Sequence, residues 1–397
     1  MFTSNPPLSL YVHLPWCERK CPYCDFNSHQ SSSFDETAYI NTLLEDLQQD
    51  LPLIWGRQIS SIFIGGGTPS LFSGEAIQQL MSGLRALLNF NPGIEISMEA
   101  NPGSADESRF RAYRAAGINR LSIGIQSFND RSLQLLGRIH NGQKALSAFA
   151  AARQAGFDNI NIDLMFALPE QTLQQAQADL QQAITLEPEH LSLYQLSIEP
   201  NTLFHSQNPQ NLPDDDLSWD MQQQNQALLQ QSGYLQYEIS AYARAGRHSR
   251  HNVNYWHFGD YLGIGAGAHG KITLPAEGRV IRQTRQRHPE VYLQKQGSAR
   301  ISETRELNEQ DLAFEFMLNA LRLLEGFEKS LFSERCGLPI QLLDAPLKAA
   351  RERGLISVTP SHLKPTTLGL QFHNDLQALF LDIDTSDMHR VEPEIHF

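Results

Sequence analysis

The sequence predicts an α/β protein: an incomplete (βα)6 barrel, then a C-terminal α+β extension that includes a small winged-helix-like module. Three observations carry this expectation. From residue 8 to about residue 200, short apolar, β-rich runs alternate with amphipathic helical patterns, and such alternation builds parallel strands with helical crossovers. The segments AAGINRLSIGI (115–125) and QAGFDNINIDL (154–164) repeat one order of helix end, glycine and strand, 39 residues apart. After residue 200 the alternation stops and longer polar stretches take over.

The strand candidates, in order, are LSLYVHL (8–14), SIFIGGG (61–67), IEISMEA (94–100), LSIGIQS (121–127), INIDLMF (160–166) and LSLYQLS (191–197). Helical patterns lie between them. Over 172–186, Leu173, Ala176, Leu180, Ala183 and Ile184 recur at spacings of three and four, the period of a one-faced helix. Asn-Pro-Gly at 91–93 and 101–103 and Ala-Gly at 116–117 and 155–156 read as turns or helix ends. Residues 205–216 read as a loop, 218–231 as a Gln-rich helix and 234–240 as a strand; 246–270 is Gly- and His-rich. From about residue 306, two or three helices precede GLISVTP and LKPTTLGLQFHNDLQALFL, the order of a winged-helix-like module. The expected divisions are a barrel with its site over 1–240, a connecting segment over 241–305 and the C-terminal module over 306–397.

Composition narrows the function. At roughly 150 residues per domain, 397 residues make two or three domains, and 41% hydrophobic with 19% charged residues is a globular balance. Lys and Arg number 31 against 44 Asp and Glu, a net charge of −13. That argues against nucleic-acid binding, because phosphate affinity comes from clustered cations. No stretch approaches the ~18 uninterrupted apolar residues of a membrane span. The first residues lack the basic and apolar regions of a signal peptide, so a cytoplasmic location is expected. Of four cysteines, Cys17, Cys21 and Cys24 fall within eight positions; in a reducing compartment such a cluster binds metal more readily than it forms disulfides.

Cys17-x3-Cys21-x2-Cys24 follows the first strand directly. Thiolates suit iron–sulfur clusters and zinc, but structural zinc takes four protein ligands, commonly as two pairs. Cys336 is over 300 residues away. Three thiolates on a cubane leave one iron open to a small molecule; His13 or His29 closing a Cys3His zinc site is the alternative. Gly65-Gly66-Gly67-Thr68-Pro69-Ser70 ends the second strand, where glycines let backbone amides approach a ligand or simply make a tight turn. Further polar residues sit at strand ends, where a partial barrel carries its site. Glu99 ends the third strand, Gln126 the fourth, Asp163 lies in the fifth, Ser197 follows the sixth, and Arg138 lies beyond the fourth unit. A buried carboxylate is costly unless paired or hydrogen-bonded, so Glu99 and Asp163 meet a ligand or a structural partner, such as Arg138 for Glu99.

The CxxxCxxC motif, with Tyr23 before its last cysteine, resembles that of the radical S-adenosylmethionine (SAM) superfamily. The resemblance implies a 4Fe–4S cluster on Cys17, Cys21 and Cys24, with SAM bound at the open iron, and a partial barrel as the fold. It also implies that Gly66, Gly67 and Thr68 hold the amino group or carboxylate of SAM and that Tyr11 stands on its adenosine side. Glu99 and Asp163 would lie near ribose or amino groups and Arg138 near the carboxylate, with Tyr23, Gln126 and Ser197 also in the cofactor site. In order along the chain, YVHLPWCERKCPYCDFNS, GGGTPS, SMEANP, GIQSF, IDLMFALPEQT and HNVNYW resemble the family of oxygen-independent coproporphyrinogen III dehydrogenases, and more closely its haem-chaperone branch. Two departures from the dehydrogenases point that way. Phe26 stands where they carry a further cysteine, and 16 residues precede Cys17 where they carry a long segment.

The stretch Arg250-His251-Asn252-x-Asn254-Tyr255-Trp256 resembles the HNxxYW signature of the chaperone branch, which implies haem at His251. Imidazole suits haem iron, and Arg244, Arg247 and Arg250 are candidates for its propionates. The plain alternative is that His251 is satisfied by hydrogen bonds; His248, His257 and His269 are weaker candidates. GIGAGAH (263–269) adds to the match. The expected function is a haem chaperone that binds haem, a 4Fe–4S cluster and SAM. It would deliver haem to recipient haemoproteins such as respiratory enzymes, membrane-associated ones included. No nucleic acid is expected, and a homodimer is left open. The alternative is an enzyme, a dehydrogenase that oxidatively decarboxylates coproporphyrinogen III.

Overall fold

Strand β1 (Leu8–Leu14) is buried at every position but Tyr11, as a strand covered on both faces must be. It opens a computed structural model that describes residues 2, 4–104 and 106–383. The parallel series continues with β2 (Gln58–Gly66), β3 (Asn89–Ala100), β4 (Arg120–Gln126), β5 (Ile160–Phe166) and β6 (His190–Gln195). Between the strands run α1 (Glu36–Asp50), α2 (Gly74–Leu87), α3 (Glu107–Ala116), α4 (Asp130–Leu135), α5 (Gly142–Gln154) and α6 (Leu173–Thr185). Thr172 caps α6, where its side chain and that of Gln175 form a reciprocal capping box that satisfies two orphan N–H groups. Gly117, at φ +104°, ends α3 in the left-handed conformation.

The later strands enlarge the sheet. Strands β7 (Leu235–Glu238) and β8 (Ala241–Ala243) form a hairpin whose second strand pairs antiparallel to β6. On the other side, β9 (Asp260–Ile264) pairs parallel to β1, and β10 (His269–Leu274), β11 (Arg279–Arg285) and β12 (Ile301–Glu306) continue antiparallel. The 12-stranded order is β12-β11-β10-β9-β1-β2-β3-β4-β5-β6-β8-β7. It is an incomplete barrel, open between its two edges, as the alternation predicts.

Several local expectations differ. Asn91-Pro92-Gly93 does not end a strand: it lies inside β3, with Gly93 at φ +66° and a register shift against β2. A bulge absorbs the irregular residues while the ladder continues. The strand expected over 234–240 is instead the β7–β8 hairpin. The Gln-rich helix, α7 (Asp215–Gln231), starts three residues earlier than 218 because Asp214 caps it. The stretch 241–305, expected as a connector, supplies β8 to β12 and α8 (Arg250–Trp256).

One apolar core joins both faces of the barrel sheet, from Leu10, Val12, Ile62 and Ile123 to Leu43, Leu80, Phe110 and Leu180 on the helices. A second core belongs to the C-terminal module: α9 (Glu309–Ala320), α10 (Lys329–Cys336), α11 (Asp344–Glu352) and an antiparallel sheet ordered β13 (Phe327–Glu328), β15 (His362–Pro365), β14 (Ile356–Val358). This is the winged-helix-like arrangement of helices and hairpin. Phe258 and Val280 join that second core from the barrel side. Among the described residues no helix is long and apolar enough to cross a membrane.

Candidate functional site

The chain leaves β1 straight into the cysteine loop. Trp16–Cys17 pairs in parallel with His29–Gln30, so the residues between are closed into a loop at the C-terminal end of β1. Trp16 fixes its base, stacked on Phe34 at 4.3 Å and edge-on to Tyr39 at 4.6 Å. Each thiol has a polar neighbour. Thr68 Oγ1 donates to Cys17 Sγ at 3.5 Å, Ser28 Oγ lies 3.8 Å from Cys24 Sγ, and Arg138 Nη1 donates to Cys21 Sγ at 3.6 Å. Burial raises the pKa of Cys17 and Cys24, and each is raised further by neighbouring thiols of the trio, so positive charge brought to the loop would favour their thiolates. Among the described residues no group of three or more His, Cys, Asp and Glu meets as a metal-ion site. The histidines of the zinc alternative are turned elsewhere: His13 lies between Tyr11 Oη at 3.0 Å and the Asn27 carbonyl at 2.9 Å, and His29 stacks edge-on to His288.

The Gly65–Ser70 turn ties this loop to β2. Gly67 N–H donates to the Leu14 carbonyl and Thr68 N–H to the Trp16 carbonyl, both at 2.8 Å. A Cβ on Gly67 would stand 2.5 Å from the Trp16 oxygen, so the close approach requires glycine. Gly66 takes φ +123°, and its N–H donates to Glu99 Oε2 at 3.0 Å. These amides, expected to face a ligand, are engaged within the protein.

Glu99 and Asp163 share one interior. Burial, then repulsion from Asp163, raises the Glu99 carboxyl from 4.5 to about 8, against the Gly66 N–H that lowers it. Asp163 is the one partly exposed position of β5; it accepts from Ser122 Oγ at 3.0 Å and Asn161 Nδ2 at 2.8 Å. Glu99 does not pair with Arg138. The guanidinium instead donates to the Gly124 carbonyl at 2.6 Å and to Cys21, and contacts Tyr23, so it belongs to the cysteine loop. Gln126 ends β4 at φ +69°, a conformation a non-glycine residue keeps only where its surroundings impose it. Ser197 lies exposed beyond β6.

A cavity of about 760 Å³ opens beside the loop. Tyr11, Gly66 and Glu99 line its barrel side, Phe26 and Asn27 the loop side, and Tyr255, Tyr261, His269, Thr284 and Arg287 the side of β9 to β11. Asn27, inside the cysteine-loop stretch but not singled out by its residue type, donates from Nδ2 to both the Ala266 and Arg287 carbonyls at 2.9 Å. Its role exists only once strands distant in sequence meet.

His251 lies on α8 and is shut inside the barrel. Its Nδ1 is 3.1 Å from Ser61 Oγ, its Nε2 is 2.7 Å from Tyr255 Oη, and its ring packs on Phe63. Burial, then Arg120, pushes its pKa down to about 3. Both ring nitrogens are therefore engaged, the hydrogen-bonded state named above as the alternative to haem ligation. Arg244, Arg247 and Arg250 do not line the cavity; Arg244 covers Tyr234, and Arg250 donates to the Gly93 carbonyl.

Residues 11–183 match the radical SAM superfamily and residues 307–372 match the HemN C-terminal domain. The chain is 49% identical to the heme chaperone HemW of Haemophilus influenzae, over 95% of this chain and 98% of that protein. It is 48% identical to the Escherichia coli protein of the same name, with coverage of 95% and 98%. Among solved structures it resembles the coproporphyrinogen III oxidase HemN of Escherichia coli, with a TM-score of 0.81 and 26% identity over 95% of this chain and 90% of that one.

Proposed function

The chain belongs to the heme chaperone HemW family within the radical SAM superfamily, and from that membership we propose that it binds haem, a 4Fe–4S cluster and SAM and delivers haem to recipient haemoproteins. The observation that supports this most is near-full-length identity to relatives named heme chaperones. We assign the cluster and SAM to the barrel of residues 1–240, haem contacts to 241–305, and a supporting role to the module of 306–397. The work is done in the cytoplasm, and respiratory enzymes are among the recipients.

The donor set fits the cluster. Cys17, Cys21 and Cys24 would hold it, and Thr68, Ser28 and Arg138 already point donors or polar oxygens at their sulfurs. When bound, the cluster supplies a redox-active iron with a coordination position left for SAM. Hydrogen bonds to cluster sulfurs tune such a potential, and Arg138 brings a full positive charge to Cys21. Gly66, Gly67, Thr68, Tyr11, Tyr23, Gln126, Glu99, Asp163 and Ser197 are assigned to SAM. Burial and Asp163 raise the Glu99 carboxyl to about 8, so a cationic ligand beside it would favour release of its proton.

Anaerobic reconstitution followed by ferric haem titration tests the reading. A saturable Soret shift at about one haem per chain is expected, and its absence overturns the proposal. Cys17→Ser, Cys21→Ser and Cys24→Ser each lose the brown cluster absorbance; retention in all three overturns the ligand assignment. The fold likeness to a coproporphyrinogen III oxidase favours a second reading, decarboxylation of that substrate. Release of CO2 from coproporphyrinogen III in the same preparation would select it.

A further inference from the structure

A polar chain runs through the barrel interior on the N-terminal side of Asp163. Alternate positions of neighbouring strands share a face, and the register sets Ser122 of β4 opposite Asn161 of β5, and Asn161 opposite His190 of β6. Asn161 is 2% exposed and His190 1%. Parallel strands covered on both faces are ordinarily apolar at such positions, and buried polar groups must find their partners inside.

The partners are present, and each contact has one direction. Asp163 accepts from Ser122 Oγ at 3.0 Å and from Asn161 Nδ2 at 2.8 Å. Asn161 Nδ2 also donates to Ser122 Oγ at 2.7 Å, so the oxygen end of this amide faces β6. There Oδ1 lies 2.6 Å from His190 Nδ1 and accepts from Ser192 Oγ at 3.1 Å. An amide oxygen has no hydrogen to give, so the ring must carry its own on Nδ1. Burial, then Arg120 and His248, lowers the His190 pKa well below 6.5. The ring is therefore neutral and Nε2 is bare. That nitrogen lies 2.8 Å from Tyr237 Oη, which must donate to it, and Tyr237 Oη accepts from the Ser249 N–H at 3.3 Å. Ser249 caps α8.

This supply divides the two interior carboxyls. Among the described residues Glu99 receives a single hydrogen bond, from the Gly66 N–H. Asp163 receives those of Ser122 and Asn161, and Arg120 adds its charge against the burial that raises the group. Neighbouring carboxyls resist carrying two charges at once, and the one with more donors keeps the charge.

We propose that Asn161 and His190 are positioning residues of the SAM pocket: a one-way chain of hydrogen bonds, from the Ser249 N–H through Tyr237, His190 and Asn161, holds Asp163 as a charged acceptor for a hydroxyl or ammonium group of the cofactor. The proposal rests on the assignment of Asp163 to SAM and adds how that carboxylate is held. Glu99 keeps the proton of the pair. The chain also ties the pocket to the first turn of α8, the helix of the HNxxYW stretch.

The test reads the ring and the pocket separately. In the full chain with isotope-labelled histidine, ring-nitrogen NMR should show His190 with its hydrogen on Nδ1 and a bare Nε2; loss of the signal in His190→Gln assigns it. Asn161→Leu removes the acceptor, and the hydrogen should move to Nε2, toward Tyr237 Oη. A wild-type ring with its hydrogen on Nε2 overturns the chain while leaving the SAM assignment intact. SAM affinity of the anaerobically reconstituted protein is measured by equilibrium dialysis, with cluster absorbance identifying folded variants. His190→Leu, which offers Asn161 no donor, should bind SAM about tenfold more weakly, as loss of one neutral hydrogen bond can cost. His190→Gln, whose amide N–H can replace the ring donor, should recover most of that loss. Wild-type affinity in His190→Leu overturns the positioning role, as does a His190→Gln that binds no better than His190→Leu. Should His190→Leu fail to fold, the wild-type ring spectrum decides the chain by itself. Absence of SAM binding by the wild type overturns the underlying assignment instead.

Discussion

Glu99 carries a pH dependence whose sign follows from its surroundings. Burial and the facing Asp163 raise its carboxyl from 4.5 to about 8, so the folded chain holds this proton more tightly than the unfolded chain. A raised acid loses its contribution as pH rises: stability is undiminished below about 4.5 and falls through the window from 4.5 to about 8. Glu99→Gln removes that loss. Its melting temperature should exceed that of the wild type at pH 8.5, with the gap narrowing toward pH 5, by scanning calorimetry without SAM; equal melting temperatures at pH 8.5 would refute the shift. At this scale the cysteines were legible because chemistry demands those residues at that spacing. Arg138 stood out in the sequence as a polar residue beyond the fourth strand but not as a neighbour of Cys21, since the distance from residue 138 to residue 21 closes only in the barrel.

The Gly-rich turn is an element whose identity the sequence showed and whose work it did not. Gly67 sits against the Trp16 carbonyl, leaving no room for a Cβ, and backbone cannot move aside as a flexible side chain does. Gly67→Ala should destabilise the fold by roughly 1–3 kcal/mol in urea titration and lower cluster occupancy after reconstitution. Wild-type stability would mean that the turn does not brace the loop. Strand β3 makes the converse point. Asn-Pro-Gly at 91–93 carries strong local turn signals, yet pairing with β2 overrides them and the strand accommodates a bulge. Helix α8 likewise carries the HNxxYW stretch, but packing turns His251 inward to Ser61 and Tyr255.

Across the whole molecule, Asp260 stands where the barrel edge meets the C-terminal module. Its buried carboxylate pairs with Lys271 at 2.9 Å and Arg57 at 2.8 Å and accepts from Thr273. Lys271 in turn lies 4.2 Å from the ring of Phe258, a member of the second core. Removing one partner of a buried ion network leaves the other charges uncompensated. Asp260→Ala should therefore lose about 3–5 kcal/mol by chemical denaturation, whereas a surface exchange such as Glu277→Ala should move stability by less than about 0.5 kcal/mol. The alternation of strands and helices, the cysteine spacing and the polar residues at strand ends were set by the sequence alone, because periodicity and ligand chemistry are local. Which groups became neighbours was decided by tertiary structure: β9 beside β1, Asn27 bridging to Arg287, His251 closed off and His269 left open. Those relations join residues hundreds of positions apart, and only the closing of the sheet brings them within bonding distance.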